Sequence, residues 1–500
     1  MNHTYDLDTP LIEFPSGTGR DRFTIRHAVE GVQVFGGIGS GKSSGSGYLL
    51  ATKYLAAGFG GLVLTAKPDE LKIWKTYCRQ AGRERDLVVI EPGGARFNVL
   101  DYASGYGSGE LTPTTNIVEV LQTVIQAGAA QDSGRGDDAF WRDSFDLLLN
   151  NVIDLCKLAY GRVSAQDLHD IVQNTPKADQ PAEEGRVNHF NRAFEAARAH
   201  VNRQVDDWAA TLNDQERIRL RDDAAFEAAL LDAVADARLL KFVDGFFVDT
   251  LMHLSEKTRS IIELMFQSFL LRLLREPFFS LFCRYPSTVT PEDCLDGKIV
   301  VVNLPVKVHN KAGRDAQLLV KSCFQRAWEK RDVTRNGRPL FLWADESQSF
   351  LLETDAIFQA TARSSRVATV YLSQNLPNYI ASMGGHLPEY RVRAFLGTLA
   401  TKIFHANADY ESNDYASKLI GDGYFVDRSQ NVTVGSGSFS QSMGQAHRLE
   451  RMVRPEQFVR LRTGGPLNHH KVEAYLHRQG DSFLNGCNHL KVTFNQNSEP

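Results

Sequence analysis

The sequence predicts an α/β protein whose buried parallel sheet is interrupted by an all-helical segment. Short apolar runs of the kind found in strands occur at residues 32–35, 62–65, 87–90, 299–303, 340–344, 368–372 and 401–404. Because these runs are continuously apolar and alternate with helical segments, they favour parallel strands that are covered on both faces. Between residues 90 and 299 the regular alternation of strand-like runs with helical segments ends. Apolar residues there recur three and four positions apart, which indicates helices.

The interruption divides the chain into three predicted segments. Residues 1–104 form the first part of the α/β domain, residues 105–290 an all-α insertion, and residues 291–500 the second part of the α/β domain. Within the insertion, one helix face is formed by Phe190, Phe194, Ala197, Val201, Val205, Trp208 and Leu212. Two low-complexity stretches, residues 127–138 and 429–445, are predicted to be mobile loops, because runs of Gly and Ser bury little surface.

The composition excludes several classes of protein. With 42% hydrophobic and 23% charged residues, the chain is predicted to be soluble and globular rather than disordered or fibrous. The net charge of −4, from 56 basic and 60 acidic residues, excludes a polycation but is compatible with local basic patches that meet nucleic acid. The six cysteines form no CxxC pair, which is typical of a reduced, intracellular protein. The most apolar stretch, residues 261–279, contains four charged residues, and no signal-peptide pattern is present, so we expect a cytoplasmic protein without a membrane anchor.

The strongest functional signal is a glycine-rich loop directly after the run at residues 32–35. The loop consists of Gly36, Gly37, Ile38, Gly39, Ser40, Gly41, Lys42, Ser43 and Ser44, and it contains the pattern GxxxxGKS. Glycines allow successive backbone N–H groups to turn toward a phosphate, and the helix that follows adds the positive end of its dipole. In this pattern Lys42 supplies positive charge for the β- and γ-phosphates, and the Ser43 hydroxyl is a ligand of Mg²⁺. We therefore predict a site for ATP or GTP with Mg²⁺, against the alternative of a plain glycine-rich turn.

An acidic pair follows a later strand. The apolar run at residues 340–344 ends in Asp345 and Glu346. Acidic residues at the carboxyl end of a parallel strand lie where α/β sheets bind their ligands. We expect Asp345 to hold the metal ion and Glu346 to polarise the attacking water. The alternative is an Asp-Glu pair that only caps a helix, but the preceding strand and the glycine loop favour the catalytic role.

Polar residues flank the next strand, residues 368–372. Gln374 lies just past the end of this strand, where an amide can sense the γ-phosphate or the attacking water. Arg363 and Arg366 precede the strand, and in an oligomer Arg363 can reach a neighbouring subunit's nucleotide as an arginine finger. The alternative is a pair of surface arginines and a helix-capping glutamine, and the residues alone do not decide between the two interpretations.

Lysine and arginine are frequent over residues 298–338. Loops that carry such residues can line a channel and contact phosphates without reading the base sequence. For most of these residues, an ordinary solvated helix face is the favoured interpretation.

The order of these motifs resembles that of a known family. A phosphate loop, a helical insertion, an apolar strand that ends in Asp-Glu, and then an Arg and a Gln are similar to the pattern of type IV secretion coupling proteins. These are TraG/TraD-like conjugative DNA-transfer ATPases of the FtsK–HerA class. Further stretches that resemble the family follow in collinear order at residues 97–101, 140–149, 254–262, 291–305, 401–421 and 454–461. The resemblance covers about residues 24–475, and its specificity lies in this order rather than in any one stretch.

The resemblance implies a RecA-like motor that forms hexameric rings, hydrolyses ATP between subunits and passes DNA, single- or double-stranded, through a central channel. It implies that the lysine and serine of the glycine loop bind phosphate and metal, while Asp345 and Glu346 serve metal and water. Gln374 resembles the family's γ-phosphate sensor, and Arg363 resembles its inter-subunit finger. The implied partners are a relaxase and accessory DNA-processing proteins, which face the all-α insertion, and components of the type IV secretion system.

Two departures from the family pattern qualify the resemblance. Family members usually begin with transmembrane helices, and none precedes the glycine loop here, so we expect a soluble variant that is cytoplasmic, or peripheral at the inner membrane through a separate anchoring partner. The family's acidic-Pro-Lys-Gly-Glu segment after the second strand is replaced by TAKPDEL at residues 65–71. Lys67 and Glu70 remain but the acid at the strand end does not, so this segment is assigned no catalytic role.

Three functions stay open at the level of sequence. The first is a DNA-translocating ATPase of the conjugation type, which pumps or recruits DNA or nucleoprotein. The second, suggested by the missing membrane segment, is an FtsK–HerA-class motor that acts with a nuclease or a defence effector. The third is a nucleotide-gated adaptor that presents protein substrates to a secretion channel through its helical insertion.

Overall fold

The computed structural model describes residues 5–16, 19–105, 112–133, 139–177, 188–384, 386–435 and 438–496. The chain divides into two compact units. The first comprises Met1–Leu87, Cys294–Val301 and Trp328–Pro500, and the second comprises Val88–Asp293 and Val302–Ala327. These units do not coincide with the predicted segment boundaries at residues 104 and 291, because residues 88–104 and 302–327 pack within the second, mainly helical unit.

The strands alternate with helices along the chain, as the apolar runs predicted. Their bounds are β1 (Pro10–Ser16), β2 (Gly19–Thr24), β3 (Val32–Phe35), β4 (Gly60–Leu64), β5 (Leu87–Ile90), β6 (Ile299–Val302), β7 (Leu340–Asp345), β8 (Val367–Ser373), β9 (Thr401–His405), β10 (Asp422–Gly435), β11 (Ser438–Arg451), β12 (Lys471–Arg478) and β13 (His489–Asn495). Nine of these strands form one sheet in the order β13-β12-β9-β3-β8-β7-β4-β6-β5. All seven strands predicted from apolar runs, β3 to β9, belong to this sheet.

The centre of the sheet is parallel and buried. Strand β3 pairs in parallel with β8 and β9, and β7 pairs in parallel with β4 and β8. Every residue of β3, β7 and β8 is buried, which explains why these strands read as continuous apolar runs. Because the strands are parallel, the residues that follow β3, β7 and β8 all lie at the same edge of the sheet.

Strands β12 and β13 extend the sheet on one side and run antiparallel to their neighbours. Their residues alternate in part between buried and exposed positions, so they lack the continuous apolar signal and were not predicted. Two further ribbons, β1–β2 and β10–β11, stand outside this sheet.

Helices fill the connections and make up most of the second unit. In the described residues their bounds are α1 (Ile25–Val29), α2 (Tyr48–Ala56), α3 (Glu70–Gln80), α4 (Val99–Ser104), α5 (Thr114–Ser133), α6 (Ala139–Tyr160), α7 (Ala165–Gln173), α8 (His189–Thr211), α9 (Asp214–Arg219), α10 (Asp223–Ala233), α11 (Ala235–Gly245), α12 (Glu256–Leu273), α13 (Phe278–Phe282), α14 (Val306–Glu329), α15 (Thr354–Ala362), α16 (Leu376–Met383), α17 (Pro388–Thr398), α18 (Tyr410–Ile420) and α19 (Pro455–Val459). No helix within these ranges combines the length and the apolar character needed to cross a membrane.

Helix α8 confirms the helical periodicity read from the insertion. Phe190, Phe194, Ala197 and Val201 are buried on one face of this helix. The rings of Phe190 and Phe194 pack against Phe247, with centroid distances of 5.0 and 5.8 Å. The apolar face therefore forms part of the core of the second unit.

The prediction of mobile loops at the two low-complexity stretches was wrong for the residues that the structure describes. Residues 127–133 belong to α5, and residues 134–138 lie outside the described part. Residues 429–435 and 438–445 belong to β10 and β11, which pair antiparallel from Asp422↔Arg451 to Gly435↔Ser438. Strand pairing uses backbone groups, which polar side chains do not prevent, so composition alone could not exclude a ribbon here.

Candidate functional site

The glycine loop is tied to the carboxyl edge of the sheet. The Gly36 N–H donates to the Ser373 carbonyl at 3.2 Å, and the Gly37 N–H donates to the Ala406 carbonyl at 2.9 Å. These bonds join the loop to the ends of β8 and β9. Beyond them Ile38 is 90% exposed, so the loop projects from this edge into solvent.

Two glycines of the loop adopt backbone angles that other residues rarely adopt. Gly39 has φ of +71° and Gly41 has φ of +78°. A Cβ atom at Gly41 would lie 2.5 Å from a methyl group of Val472, whereas a Cβ at Gly39 would meet nothing within 4 Å. Gly41 is thus required both by its backbone angle and by close packing, and Gly39 by its backbone angle alone.

Replacing each of these glycines by alanine should separate backbone strain from a steric clash. Both Gly39→Ala and Gly41→Ala place an L-residue in the left-handed region, which costs about 1–2 kcal/mol. The added contact with Val472 should make Gly41→Ala lower the free energy of unfolding further and distort the loop more. Urea unfolding and titration with a fluorescent nucleotide measure both effects, and equal losses in the two variants would contradict the clash.

Two polar side chains of the loop fit a phosphate ligand. Lys42 is only 7% exposed, and no hydrogen bond or ion pair joins its ammonium to another residue in the described ranges. The Ser40 hydroxyl is buried and has no hydrogen-bond partner within the same ranges. Burial of such groups is unfavourable unless a partner satisfies them, and phosphate oxygens are suitable partners for both.

The phosphate loop and the acidic pair meet in one cleft of the first unit. The Ser43 hydroxyl donates to Asp345 Oδ2 at 2.6 Å, although the two residues are 302 positions apart in sequence. Asp345 is the last residue of β7, and its side chain is largely buried. A hydroxyl and a carboxylate oxygen are the hard ligands that Mg²⁺ prefers, so the residues present fit this ion.

Glu346 turns its carboxylate toward the same cleft. Its φ of 54° is left-handed, and its N–H donates to Asp345 Oδ1 at 3.0 Å. A non-glycine residue in this conformation is uncommon, and such strain is often found at functional sites. This turn ends β7, so the side chains of Asp345 and Glu346 leave the backbone in different directions.

Three donors surround the Glu346 carboxylate. Lys67 Nζ lies 2.9 Å from Oε1, and the amides of Gln348 and Gln374 donate to Oε2 at 2.8 and 3.0 Å. Burial alone would raise the pKa of Glu346, but the hydrogen bonds from Gln348 and Lys67, with the charges of Lys67 and Lys42, lower it to about 2. Glu346 is therefore ionised and held in a defined orientation.

Lys67 lies in the cleft, although the sequence analysis assigned its segment no catalytic role. Its ammonium bridges both acids, at 2.9 Å from Glu346 and 3.7 Å from Asp345 Oδ2. Glu70 accepts the N–H groups of Ala66 and Lys67 at 3.0 and 3.2 Å and so fixes the backbone that presents this lysine. Burial lowers the pKa of Lys67, but the neighbouring carboxylates raise it above its usual value.

The position of Lys67 depends on strand order, because β4 lies beside β7 with Leu64 opposite Ala344. Lys67 and Glu70, which residues 65–71 share with the family pattern, were the only hint in the sequence that this segment belongs to the site. Without knowledge that the two strands are neighbours, this signal could not be joined to the acidic pair.

Gln374, the predicted sensor, reaches the cleft. Its amide contacts Glu346, and its carbonyl accepts a hydrogen bond from Asn407 Nδ2 at 2.8 Å. Asn407 follows β9 and is buried. It was missed because nothing in its local sequence distinguishes it from a loop asparagine.

His405 contacts the turn that follows the glycine loop, and the sequence analysis did not identify it. It is the last residue of β9, is 1% exposed, and its Nε2 lies 2.7 Å from the Ser46 hydroxyl. Ser46 belongs to a π-helical turn, Ser43–Gly47, that leads into α2. Burial lowers the pKa of His405 to about 3, so the ring is neutral and acts as a hydrogen-bonding group rather than a charge.

Arg363 does not join this cleft. It follows α15 and precedes β8, so it lies at the amino edge of the sheet, whereas Gln374 lies at the carboxyl edge after the same strand. Seven residues of strand separate the two edges by about 20 Å. The guanidinium is half exposed and pairs with Glu30 at 3.3 Å.

Several basic residues of the stretch 298–338 have structural partners. Arg314 pairs with Asp315 at 3.0 Å, and Lys321 is fully buried. Arg331 is partly buried and donates to the Ser365 carbonyl at 2.9 Å. These contacts favour the structural interpretation for these residues over contact with a polyanion.

The fold and the site together define the class of protein. A parallel sheet carries a glycine loop after β3 and an acidic pair after β7, and the two meet at its carboxyl edge. This is the RecA-like α/β fold of P-loop NTPases, so the predicted fold class is confirmed.

Solved structures share this fold. The chain is similar to the bacterial conjugative coupling protein TrwBdeltaN70 in its unbound form, with a TM-score of 0.55, 12% identity, and coverage of 98% of this chain and 90% of that chain. It is also similar to the plasmid coupling protein TrwB in complex with the GTP analogue GDPNP (TM-score 0.56, 14% identity, 96% and 89% covered). The complex of TrwB with ADP and Mg²⁺ gives a TM-score of 0.53, 13% identity, and coverage of 95% and 87%.

A sequence-family comparison points the same way. Residues 339–463 match the family described as the TraM recognition site of TraD and TraG. A comparison with curated protein sequences found no match. This match covers about a quarter of the chain and agrees with the resemblance to type IV secretion coupling proteins that the order of motifs indicates, while the solved structures show the same fold.

Proposed function

We propose that this protein is an ATP-hydrolysing, Mg²⁺-dependent motor that moves single- or double-stranded DNA in the manner of conjugative coupling proteins. The observation that carries the proposal is the 2.6 Å hydrogen bond between Ser43 and Asp345, which joins the glycine loop to the acidic pair. The similarity to TrwB, whose structures include complexes with ADP and Mg²⁺ and with a GTP analogue, supports a nucleoside triphosphate as the ligand.

Each residue of the cleft has a separate role in the proposed hydrolysis of ATP. Backbone N–H groups of residues 41–44 and the Lys42 ammonium bind the phosphates, while the N–H groups of Gly36 and Gly37 hold the loop on the sheet. Ser43 and Asp345 hold Mg²⁺, which when bound offsets the negative charge of the β- and γ-phosphates. Glu346 orients the attacking water and accepts its proton, and the new P–O bond forms as the bond to the leaving diphosphate breaks. Gln374, through its contact with Glu346, links this step to the γ-phosphate.

Lys67 orients Glu346 in this scheme. Replacing it by methionine removes the cation between the two carboxylates but keeps a similar side-chain length. We expect turnover to fall about 10- to 100-fold, because small errors in the position of a catalytic group have effects of this size. Nucleotide affinity should stay unchanged, and Lys67→Arg should restore part of the activity. Steady-state hydrolysis and a nucleotide titration separate the two quantities.

A double substitution distinguishes orientation from a general structural effect. If Lys67 acts through Glu346, its removal should have no further effect in the Glu346→Gln background. Lys72→Met, an exposed change in α3, serves as the matched control and should leave turnover at the wild-type level. Additive losses in the double variant would contradict the proposed link.

The proposed assembly is a homo-hexameric ring, in which Arg363 serves as a finger toward the neighbouring subunit's nucleotide. The match of residues 339–463 to a TraM recognition site supports accessory DNA-processing proteins and a relaxase as partners. In this proposal the protein acts in the cytoplasm, or at the inner membrane through an anchoring partner of the secretion system. Residues 105–290 remain the proposed all-α domain that faces the DNA-processing complex.

DNA-stimulated hydrolysis is the direct test of this function. ATP turnover should rise when single- or double-stranded DNA is added at low salt, and Lys42→Ala should abolish nucleotide binding and serve as the negative control. Electron microscopy with an ATP analogue and DNA should show rings. Hydrolysis that no form of DNA stimulates would count against a DNA motor and would favour the nucleotide-gated adaptor.

A further inference from the structure

Gln496 connects the glycine loop with a second segment of the first unit. It directly follows β13, and its amide Nε2 donates to the Ser44 hydroxyl at 2.8 Å, across 452 positions of sequence. Its Oε1 accepts the N–H of Gly465 at 2.7 Å. One side chain therefore links the last residue of the glycine loop to Gly465, and none of the roles described above uses it.

The segment that Gln496 holds, residues 463–470, contains unusual backbone angles. His469 and His470 have φ of 53° and 54°, and Gly465 has φ of +75°. Left-handed angles are uncommon for residues other than glycine and persist only where the surrounding contacts fix them. Gln496 supplies two of these contacts, because its own backbone N–H also donates to the His470 carbonyl at 2.7 Å.

The approach of Gln496 to this segment requires a glycine. A Cβ atom at Gly464 would clash with the Gln496 side-chain amide, and the φ of +84° at Gly464 also disfavours other residues. The segment packs against the glycine loop as well, because a Cβ atom at Gly41 would lie 3.2 Å from the Thr463 carbonyl oxygen. The position of the Gln496 side chain is thus built into both segments.

The bond to Gly465 determines which way the Gln496 amide faces. A backbone N–H can only donate, so the amide oxygen must lie toward Gly465 and the NH₂ group toward Ser44. The Ser44 oxygen accepts this bond and keeps its own proton. In the part of the chain that the structure describes, this hydroxyl makes no other hydrogen bond, so its proton is free for a ligand.

We propose that Gln496 is a positioning residue for phosphate binding, which directs the Ser44 O–H toward a phosphate oxygen of the nucleotide. The inference rests on the proposed function, because it assumes phosphates at the glycine loop. The hydroxyl of the preceding Ser43 faces Asp345, so the two serines serve different parts of the ligand, the metal ion and a phosphate. A hydrogen bond from Ser44 to a charged phosphate oxygen is stronger than one between neutral groups.

Replacing Gln496 by methionine removes both side-chain hydrogen bonds and keeps a similar length. We expect the affinity of the full-length protein for ATP with Mg²⁺ to fall about five- to tenfold, the scale of one hydrogen bond. The loss should appear in KM rather than in kcat, because Ser43, Asp345 and Glu346 are untouched. Gln479→Met, at an exposed position after β12, is the matched control and should bind ATP like wild type.

The Ser44→Ala background separates positioning from a general structural effect. Ser44→Ala should itself weaken ATP binding, and Gln496→Met should then cause no further loss. Multiplied losses in the double variant, or wild-type affinity in Gln496→Met, would overturn the inference and leave the phosphate site intact. Failure of wild-type protein to bind ATP would overturn the proposed function together with the inference.

Gln496→Glu decides the question if Gln496→Met does not fold. The glutamate can still accept the Gly465 N–H, but at Ser44 it accepts instead of donating, and so it takes the serine proton away from the phosphate. ATP affinity should fall about tenfold or more. The loss should be smaller when it is measured in the Ser44→Ala background, and an equal loss there, which the added charge alone would cause, would reject the inference.

Discussion

Replacing Arg363 by alanine is expected to lower ATP turnover about 10³- to 10⁵-fold while leaving nucleotide affinity unchanged. An arginine finger acts mainly on the charge that develops in the transition state, so its loss has a large effect on turnover and a small one on ground-state binding. Within one chain Arg363 lies at the amino edge of the sheet, away from Glu346 at the carboxyl edge. The predicted loss therefore requires that Arg363 act on the site of a neighbouring subunit.

The ion pair of Arg363 with Glu30, at 3.3 Å, supplies a matched control. Glu30→Gln breaks the same pair but keeps the guanidinium, so it should retain turnover if Arg363 is a finger. An equal loss in both variants would instead assign Arg363 a structural role.

Mixing two inactive variants tests action between subunits. Arg363→Ala subunits keep an intact nucleotide cleft, and Glu346→Gln subunits keep the arginine. Mixed rings should recover part of the turnover, since some interfaces then combine the two intact halves. Absence of any recovery, together with ring formation by the mixture, would argue against a finger supplied by a neighbour.

Replacing Glu346 by glutamine is expected to lower turnover by about 10²- to 10⁴-fold with nucleotide affinity retained. The amide has nearly the same size as the carboxylate, but it does not accept the proton of the attacking water. It also breaks the ion pair with Lys67, which lies 2.9 Å from the carboxylate. Hydrolysis rates and a nucleotide titration provide the measurement.

A nearby acidic residue serves as the control for this variant. Glu353 lies seven positions later, at the start of α15, and its mostly exposed side chain pairs with Arg391 at 3.3 Å. Glu353→Gln should keep wild-type turnover. Near-normal turnover in Glu346→Gln would remove the assigned proton acceptor and, with it, the mechanism proposed for the acidic pair.

The central strands and the motifs that follow them could be read from the sequence. Strands β3, β7 and β8 are buried on both faces, and such strands leave continuous apolar runs that are visible without any structure. The glycine loop follows β3 directly, and the acidic pair follows β7. Parallel strands bring their carboxyl ends to one edge, so the placement of both motifs at that edge follows from local information.

Other elements could not be predicted because their side chains carry no such signal. Residues 429–445 were predicted to be a loop from their Ser- and Gly-rich sequence, yet those that the structure describes belong to β10 and β11, which pair from Asp422↔Arg451 to Gly435↔Ser438. Strands β12 and β13 alternate in part between buried and exposed residues and were missed. In both cases backbone pairing with a neighbour, rather than local composition, determines the conformation.

By itself the sequence determined seven strands of the sheet, the phosphate loop and the acidic pair, because each depends on residues adjacent in the chain. Only the tertiary structure decided that Lys67 meets Glu346 and that Arg363 pairs with Glu30 at the opposite edge. These contacts follow from which strands lie side by side. Strand order is a property of the whole sheet, in which every pairing limits the others, so no local stretch of sequence contains it.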